Sequence, residues 1–170
     1  QLVAGFDCRV AFKAIGPDGR GVDVIGTILA NDRDTLTAFR STNLGMGQFT
    51  IPVEAGQAYT AVLFNSDGTE RRIPLPGAPA AGFGLAVQAF GKESIRVFVH
   101  NAAPQTAAPR ELLLLVQQRG VVCFVAKGNT GGRSFSVNVP RNKFPDDGIA
   151  HLTLFDDAGN PIAERLVFIR

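Results

Sequence analysis

The sequence predicts an all-β fold, made of two antiparallel β-sandwiches in tandem over residues 1–78 and 79–170. Three observations predict it. Apolar residues recur with a period of two along most of the chain, the signature of half-buried strands. Clusters of Gly, Asn, Asp and Pro interrupt these runs at short intervals, as turns between strands require. A proline- and glycine-rich stretch divides the chain near its middle, and similar features recur in the same order on either side.

The strand readings run in order along the chain. In Cys8-Arg9-Val10-Ala11-Phe12-Lys13, the residues Cys8, Val10 and Phe12 share one face and Arg9 and Lys13 the other. Phe49, Ile51 and Val53 alternate with Gln48 and Thr50, and Ile95, Val97 and Val99 line one side of Ser94 to His100. Phe135, Val137 and Val139 alternate with Ser134, Ser136 and Asn138. Leu112 to Val116 and Val121 to Ala126 are apolar on both faces, which predicts central strands or strands covered by a neighbouring domain. Turns are expected at Pro17-Asp18-Gly19, Ser66-Asp67-Gly68, Arg119-Gly120 and Asp157-Ala158-Gly159-Asn160, where Gly or Asn tolerates positive φ. No window of a dozen residues has a helical period.

Ile73 to Gly82 holds three prolines and two glycines in ten residues and reads as the linker between domains. The repeat supports that division. Phe49-Thr50-Ile51-Pro52-Val53 answers to Phe135-Ser136-Val137-Asn138-Val139. Gly56 through Phe64 answers to Gly148 through Phe155, with the two Phe residues 91 positions apart, about one small sandwich. A turn follows each, and then Glu70-Arg71 or Glu164-Arg165.

Composition narrows the function classes. Apolar residues make up 45% and charged residues 19%, and the net charge is only +2. That is no basic footprint for nucleic acid. The longest apolar stretch, Leu112 to Val116, is strand-sized, so no membrane helix is expected. The opening Gln1 to Gly5 lacks a charged start and an initiator Met, and reads as a cut edge or a processed end, not an intact signal peptide.

At several of these positions the chain resembles the macroglobulin-like domains of alpha-2-macroglobulin-type proteins. In the first half the resemblance is carried by Val10-Ala11-Phe12-Lys13-Ala14, Asp18-Gly19-Arg20-Gly21, Leu44-Gly45-Met46-Gly47-Gln48-Phe49, and Gly56 followed by Tyr59-Thr60-Ala61. In the second half it is carried by Phe144-Pro145, Gly148-Ile149-Ala150, Asp157-Ala158-Gly159-Asn160-Pro161 and the ending Ala163-Glu164-Arg165-Leu166-Val167-Phe168. The first half is also similar to carboxypeptidase regulatory-like, or prealbumin-like, domains. The resemblance implies two immunoglobulin-like, macroglobulin-type sandwiches. It implies a place in a bacterial cell-envelope protein, such as one associated with a TonB-dependent receptor of the outer membrane, and hence an extracytoplasmic location. The thioester stretch Gly-Cys-Gly-Glu-Gln of some macroglobulins is absent, since Cys8 precedes Arg9 and Cys123 precedes Phe124. Fold alone carries no chemistry.

No residue is assigned a catalytic, cofactor-binding or metal-binding role, and no cofactor is expected. His100 and His151 have no paired ligand nearby in sequence and are expected on exposed or half-exposed strand faces. Cys8 and Cys123, in different domains, are expected as buried free thiols. Gly128 to Ser134 and Gly91 to Ser94 lack the Lys-Ser/Thr end of a phosphate loop. Asn31-Asp32-Arg33-Asp34 and Asp156-Asp157 are oxygen-rich enough to consider for calcium, yet Asp and Asn in turns usually bond their own backbone. With no Trp and one Tyr, aromatic platforms for sugar are thin. The longest candidate active-site loop, Asn101 to Arg110, has a single charged residue and suits a connection better. The chain therefore reads as a non-catalytic structural or protein-interaction module, a spacer or scaffold. Its expected partner is another protein or the rest of its own parent chain, with no nucleic acid and no direct membrane insertion. The alternative is a carbohydrate- or peptide-binding module of an uptake system.

Overall fold

The computed structural model describes residues 2–64, 69–90, 92–102 and 108–170. Thirteen strands and one short 3-10 turn, Arg141–Lys143, make up its regular structure. Every strand pairing is antiparallel. The chain divides into two compact units, Gln1–Ala80 and Ala81–Arg170.

Unit 1 contains β1 (Phe6–Lys13), β2 (Ile25–Ala30), β3 (Asp34–Arg40), β4 (Met46–Val53), β5 (Tyr59–Phe64) and β6 (Glu70–Pro74). A two-stranded sheet β1-β4 faces a four-stranded sheet ordered β3-β2-β5-β6. The register sets Cys8 beside Ile51 and Val10 beside Phe49, so the alternation read from the sequence places one face of each strand on the core. Ile28, Phe39, Phe49, Ile51, Val53 and Tyr59 form that core. The Phe39 ring lies 5.0 Å from Phe12 and 5.4 Å from Phe49. Gly47 makes room for this cluster, since a Cβ there would stand 2.3 Å from the Phe12 ring.

Tyr59 is almost wholly buried, and its hydroxyl reaches back along the chain. It accepts from the Glu54 backbone N–H at 2.8 Å and lies 3.3 Å from the Pro52 carbonyl and 3.1 Å from Gln57 Oε1, either of which can take its proton. This is the arrangement of a tyrosine corner, in which a buried ring ties a strand to the backbone a few residues upstream.

Unit 2 contains β7 (Phe83–Phe90), β8 (Ser94–Asn101), β9 (Glu111–Gln118), β10 (Val121–Asn129), β11 (Ser134–Pro140), β12 (Gly148–Phe155) and β13 (Pro161–Ile169). A three-stranded sheet β11-β8-β7 faces a four-stranded sheet β10-β9-β12-β13. Val97, Val99, Leu112, Leu114, Val116, Val139, Leu152 and Leu154 are the centre of its core. The pairing pattern of β8 to β13 repeats that of β1 to β6, and β7 is the strand that unit 2 adds.

Three expectations change. The stretch read as linker begins too early, because Ile73 and Pro74 belong to β6. A proline is tolerated there because β6 is an edge strand, needing no N–H on its outer side. Leu75 still donates to the Tyr59 carbonyl at 2.8 Å, and Leu75 and Ala78 cover the unit 1 core. The two cysteines are free but half-buried rather than buried. Cys8 lies on the smaller sheet of unit 1, and Cys123 sits at a bulge in an edge strand, where the register shifts between Val122 and Phe124. Finally, the two strands that read as apolar on both faces differ. β9 is central, but β10 is an edge strand whose outer face is open. The expected turn at Ser66-Asp67-Gly68, Gly91 of the Gly91 to Ser94 stretch, and residues 103–107 of the Asn101 to Arg110 connection lie outside the described residues.

Candidate interaction surface

The residues that suggested chemistry are not brought together. Both histidines belong to unit 2, but to opposite sheets. His100, half-buried on β8, stacks on Phe98, with ring centroids 6.5 Å apart. Burial holds its pKa below the ordinary histidine value. His151 lies on the outer side of β12, its Nε2 3.6 Å from Glu164 Oε2. Among the described residues no group of three or more His, Cys, Asp or Glu side chains is placed to hold a metal ion.

The oxygen-rich turns are occupied with their own geometry. Asn31 and Asp32 are both left-handed, with φ of 50° and 58°, and turn β2 into β3. The Asn31 side chain accepts from Ala58 N–H at 3.2 Å, and Asp32 lies 3.6 Å from Arg72. In the β12–β13 turn the Asp156 carboxylate accepts from the backbone N–H groups of Ala158 at 3.0 Å and Asn160 at 2.7 Å. The Asn160 side-chain amide donates to it at 3.1 Å. That side-chain bond, then the backbone N–H of Asn160, holds its pKa below the ordinary aspartate value. The second turn is closed by its own side chain, and the first is tied by its side chains to Ala58 and Arg72.

The feature that composition did not show is an apolar sheet face. In the four-stranded sheet of unit 2, Leu112, Leu114 and Val116 of β9 point into the core. Leu113, Leu115 and Gln117 therefore point out. The register carries this outer row across the sheet. Val125 sits beside Leu115, Leu115 beside Thr153, and Thr153 beside Glu164. Val122 sits beside Gln117, Gln117 beside His151, and His151 beside Leu166, with Ile149 beside Phe168 in the next row. Five apolar side chains of this face are open to solvent: Val122 at 50%, Val125 at 48%, Ile149 at 59%, Leu166 at 64% and Phe168 at 60%. Single exposed apolar residues need no explanation, but here five gather on one sheet face, Val122 and Val125 on β10 and Ile149, Leu166 and Phe168 on β12 and β13, with Gln117, His151 and Thr153 between the two groups. Charge is confined to the borders. Lys127 Nζ meets Glu111 Oε1 at 2.8 Å, Glu164 stands beside His151, and Arg170 lies 5.9 Å over the Phe168 ring.

Unit 1 carries a smaller apolar tip. Ile15, Val22, Leu44 and Met46 are exposed where three segments cross. Ala14 N–H donates to the Gly45 carbonyl at 2.8 Å and Val22 N–H to the Ala14 carbonyl at 3.2 Å. Glycine is needed at the crossing, because a Cβ at Gly21 would stand 2.0 Å from the Leu44 carbonyl oxygen.

No protein-family model and no curated protein matches the chain. Among solved structures it matches the crystal structure of the FN1–FN3 domains of chicken CNTN1, at 12% identity and a TM-score of 0.35, over 98% of this chain and 63% of that one. The chain thus spans less than two thirds of that structure. A likeness this distant adds nothing to the fold assignment, which rests on the strand pairing above. The comparisons lend no support to the macroglobulin or TonB-dependent-receptor association.

Proposed function

We propose that the chain is a non-catalytic structural and protein-contact module, and that its contact surface is the outer face of the β10-β9-β12-β13 sheet. The observation that supports this reading is the five exposed apolar side chains on that face, Val122 and Val125 at one edge and Ile149, Leu166 and Phe168 towards the other. The module would hold or join parts of a larger extracytoplasmic protein of the bacterial cell envelope, such as an outer-membrane protein associated with a TonB-dependent receptor. Only the resemblance of strand and turn motifs supports that placement.

The face can be tested directly. An environment-sensitive apolar dye should bind the native chain and lose that binding in the Leu166→Glu and Val125→Glu variants, with circular dichroism unchanged. Equal dye binding by all three would overturn the reading. For the location, cell fractionation of the parent protein should recover it in the periplasm or outer membrane, and recovery in the cytosol would overturn it.

A further inference from the structure

We propose that the open edge of β1 receives one more antiparallel strand, an extended segment of a partner protein with apolar side chains at alternate positions. The site belongs to unit 1, so the inference goes beyond the contact face of unit 2 and does not depend on it. The repeat is the first argument. β4 answers to β11, and the registers align Phe6, Cys8 and Val10 of β1 with Ile95, Val97 and Val99 of β8. In unit 2, β8 is central, paired with β11 on one side and β7 on the other. In unit 1, β1 pairs with β4 alone, and among the described residues no strand lies along its other edge. A strand presents backbone N–H and C=O groups to both edges, so from Cys8 to Lys13 one edge of β1 is available to pair. β1 runs eight residues without a proline or a bulge, two devices that blunt an edge. Its charges, Asp7, Arg9 and Lys13, share the outer face with Ala11 and leave the inner row apolar.

Burial is the second argument. Phe6, Cys8, Val10 and Phe12 form the inner row of β1 and are only half-buried. In unit 2 the counterparts Ile95, Val97 and Val99 are at most 2% exposed, and Leu85 and Val87 of β7 stand beside Val99 and Val97. A two-stranded sheet is too narrow to cover a four-stranded one. A third strand would widen it by about 4.8 Å and close the inner row.

The third argument identifies the occupant. β7 shows what fits such an edge: an antiparallel strand of eight residues that sets Leu85 and Val87 against the core. The residues just ahead of β1 do not supply it. Leu2, Val3 and Ala4 are buried, Val3 N–H donates to Cys8 Sγ at 3.3 Å, and no ladder joins them to β1. Among the described residues the β7–β8 hairpin therefore has no counterpart in unit 1, and the strand comes from a separate segment. Arg9 and Lys13 on the outer face favour a segment with acidic residues at its own outer positions, since opposite charges on neighbouring strands attract. Backbone pairing supplies the affinity of such strand addition, and the alternate side chains supply its specificity.

The test is amide hydrogen exchange of the whole chain with a synthetic peptide of the β7 sequence, Phe83–Phe90, flanked by glutamates for solubility. Bound peptide should slow exchange by about tenfold or more at amides within Cys8 to Lys13 and leave β10 to β13 unchanged. Two further peptides separate strand pairing from apolar adsorption, one N-methylated at Leu85, Val87 and Ala89 and the other at Gly84, Ala86 and Gln88. Only one edge of the peptide faces β1. One methylated peptide should therefore bind about tenfold more weakly or worse, and the other nearly as well as the parent. No protection of β1 at the highest soluble peptide concentration overturns the inference, as does equal binding by both methylated peptides. Protection confined to β10 to β13 also overturns it, and leaves the contact face of unit 2 standing. Slow exchange of β1 in the chain alone, at every concentration, would mean that the chain closes its own edge. Slow exchange that grows with chain concentration would place a second copy there. Either result overturns the partner strand.

Discussion

Tyr59 is the residue whose role composition hid. As the only Tyr in the chain it had counted against sugar binding, and its structural use depends on where its hydroxyl points. Alternation marks the ring as core, but no period shows that Glu54 and Pro52 lie within its reach. Replacing it with Phe leaves the Glu54 N–H without its acceptor. The expected loss is about 1–2 kcal/mol from unit 1 in a urea titration, with any separate transition of unit 2 unmoved. Asp156 gives a pH-dependent counterpart. Its pKa in the folded chain is depressed by Asn160, so the unfolded chain binds its proton at a higher pH. The stabilisation is therefore full above the unfolded pKa and is lost as pH falls through the folded one. A carboxylate-resolved NMR titration should place its midpoint below the ordinary aspartate value. Asp156→Ala should flatten the acid limb of stability against pH.

At the scale of the element, the turns and core faces were the most legible part. Cys8, Val10 and Phe12 do share one face of β1, and Arg119-Gly120 does turn β9 into β10. Both turn residues are left-handed, with φ of 51° and 79°. Arg is a poor choice for that conformation, since a Cβ in the left-handed region costs roughly 1–2 kcal/mol. Arg119→Asn is thus expected to stabilise the hairpin by about 0.5 kcal/mol or more, because Asn tolerates the region better than Arg. Loss of the exposed contact to Asp146 at 3.1 Å should subtract little. A raised melting temperature supports this, and an unchanged or lowered one refutes it. The neighbouring strand shows why the rest was illegible. Val121 to Ala126 is apolar at nearly every position, which suits a strand covered on both sides. Whether the second side is covered depends on strand order, and order is set by contacts between distant segments. The apolar face of unit 2 follows from that order, since the β9–β10 hairpin is local but β9 meets β12 only through pairings that span tens of residues. No local pattern could have assembled it.

At the scale of the whole molecule, the decisive question is whether two cores mean two folding units. The buried residues fall into two separate clusters, one around Ile28, Ile51 and Tyr59 and the other around Val97, Leu114 and Leu152. Each unit has its own pair of facing sheets, and every strand pairing stays within one unit. Burial of a side chain stabilises only the unit whose core contains it, so damage to one core should leave the other standing. Unit 1 is the more precarious, because its smaller sheet has only two strands where unit 2 has three. Small domains bury a lower fraction of their surface and are correspondingly marginal. Residues 81–170 made alone should therefore fold to a β-type circular dichroism spectrum with a cooperative melt. Residues 1–80 should also fold, at a lower melting temperature. In the intact chain, Ile51→Ala should cost about 2–5 kcal/mol from one transition only, as truncation of a fully buried Ile does. If that substitution lowers a single shared transition, or if neither half folds alone, the two cores belong to one cooperative unit and the division at Ala80 is not a folding boundary.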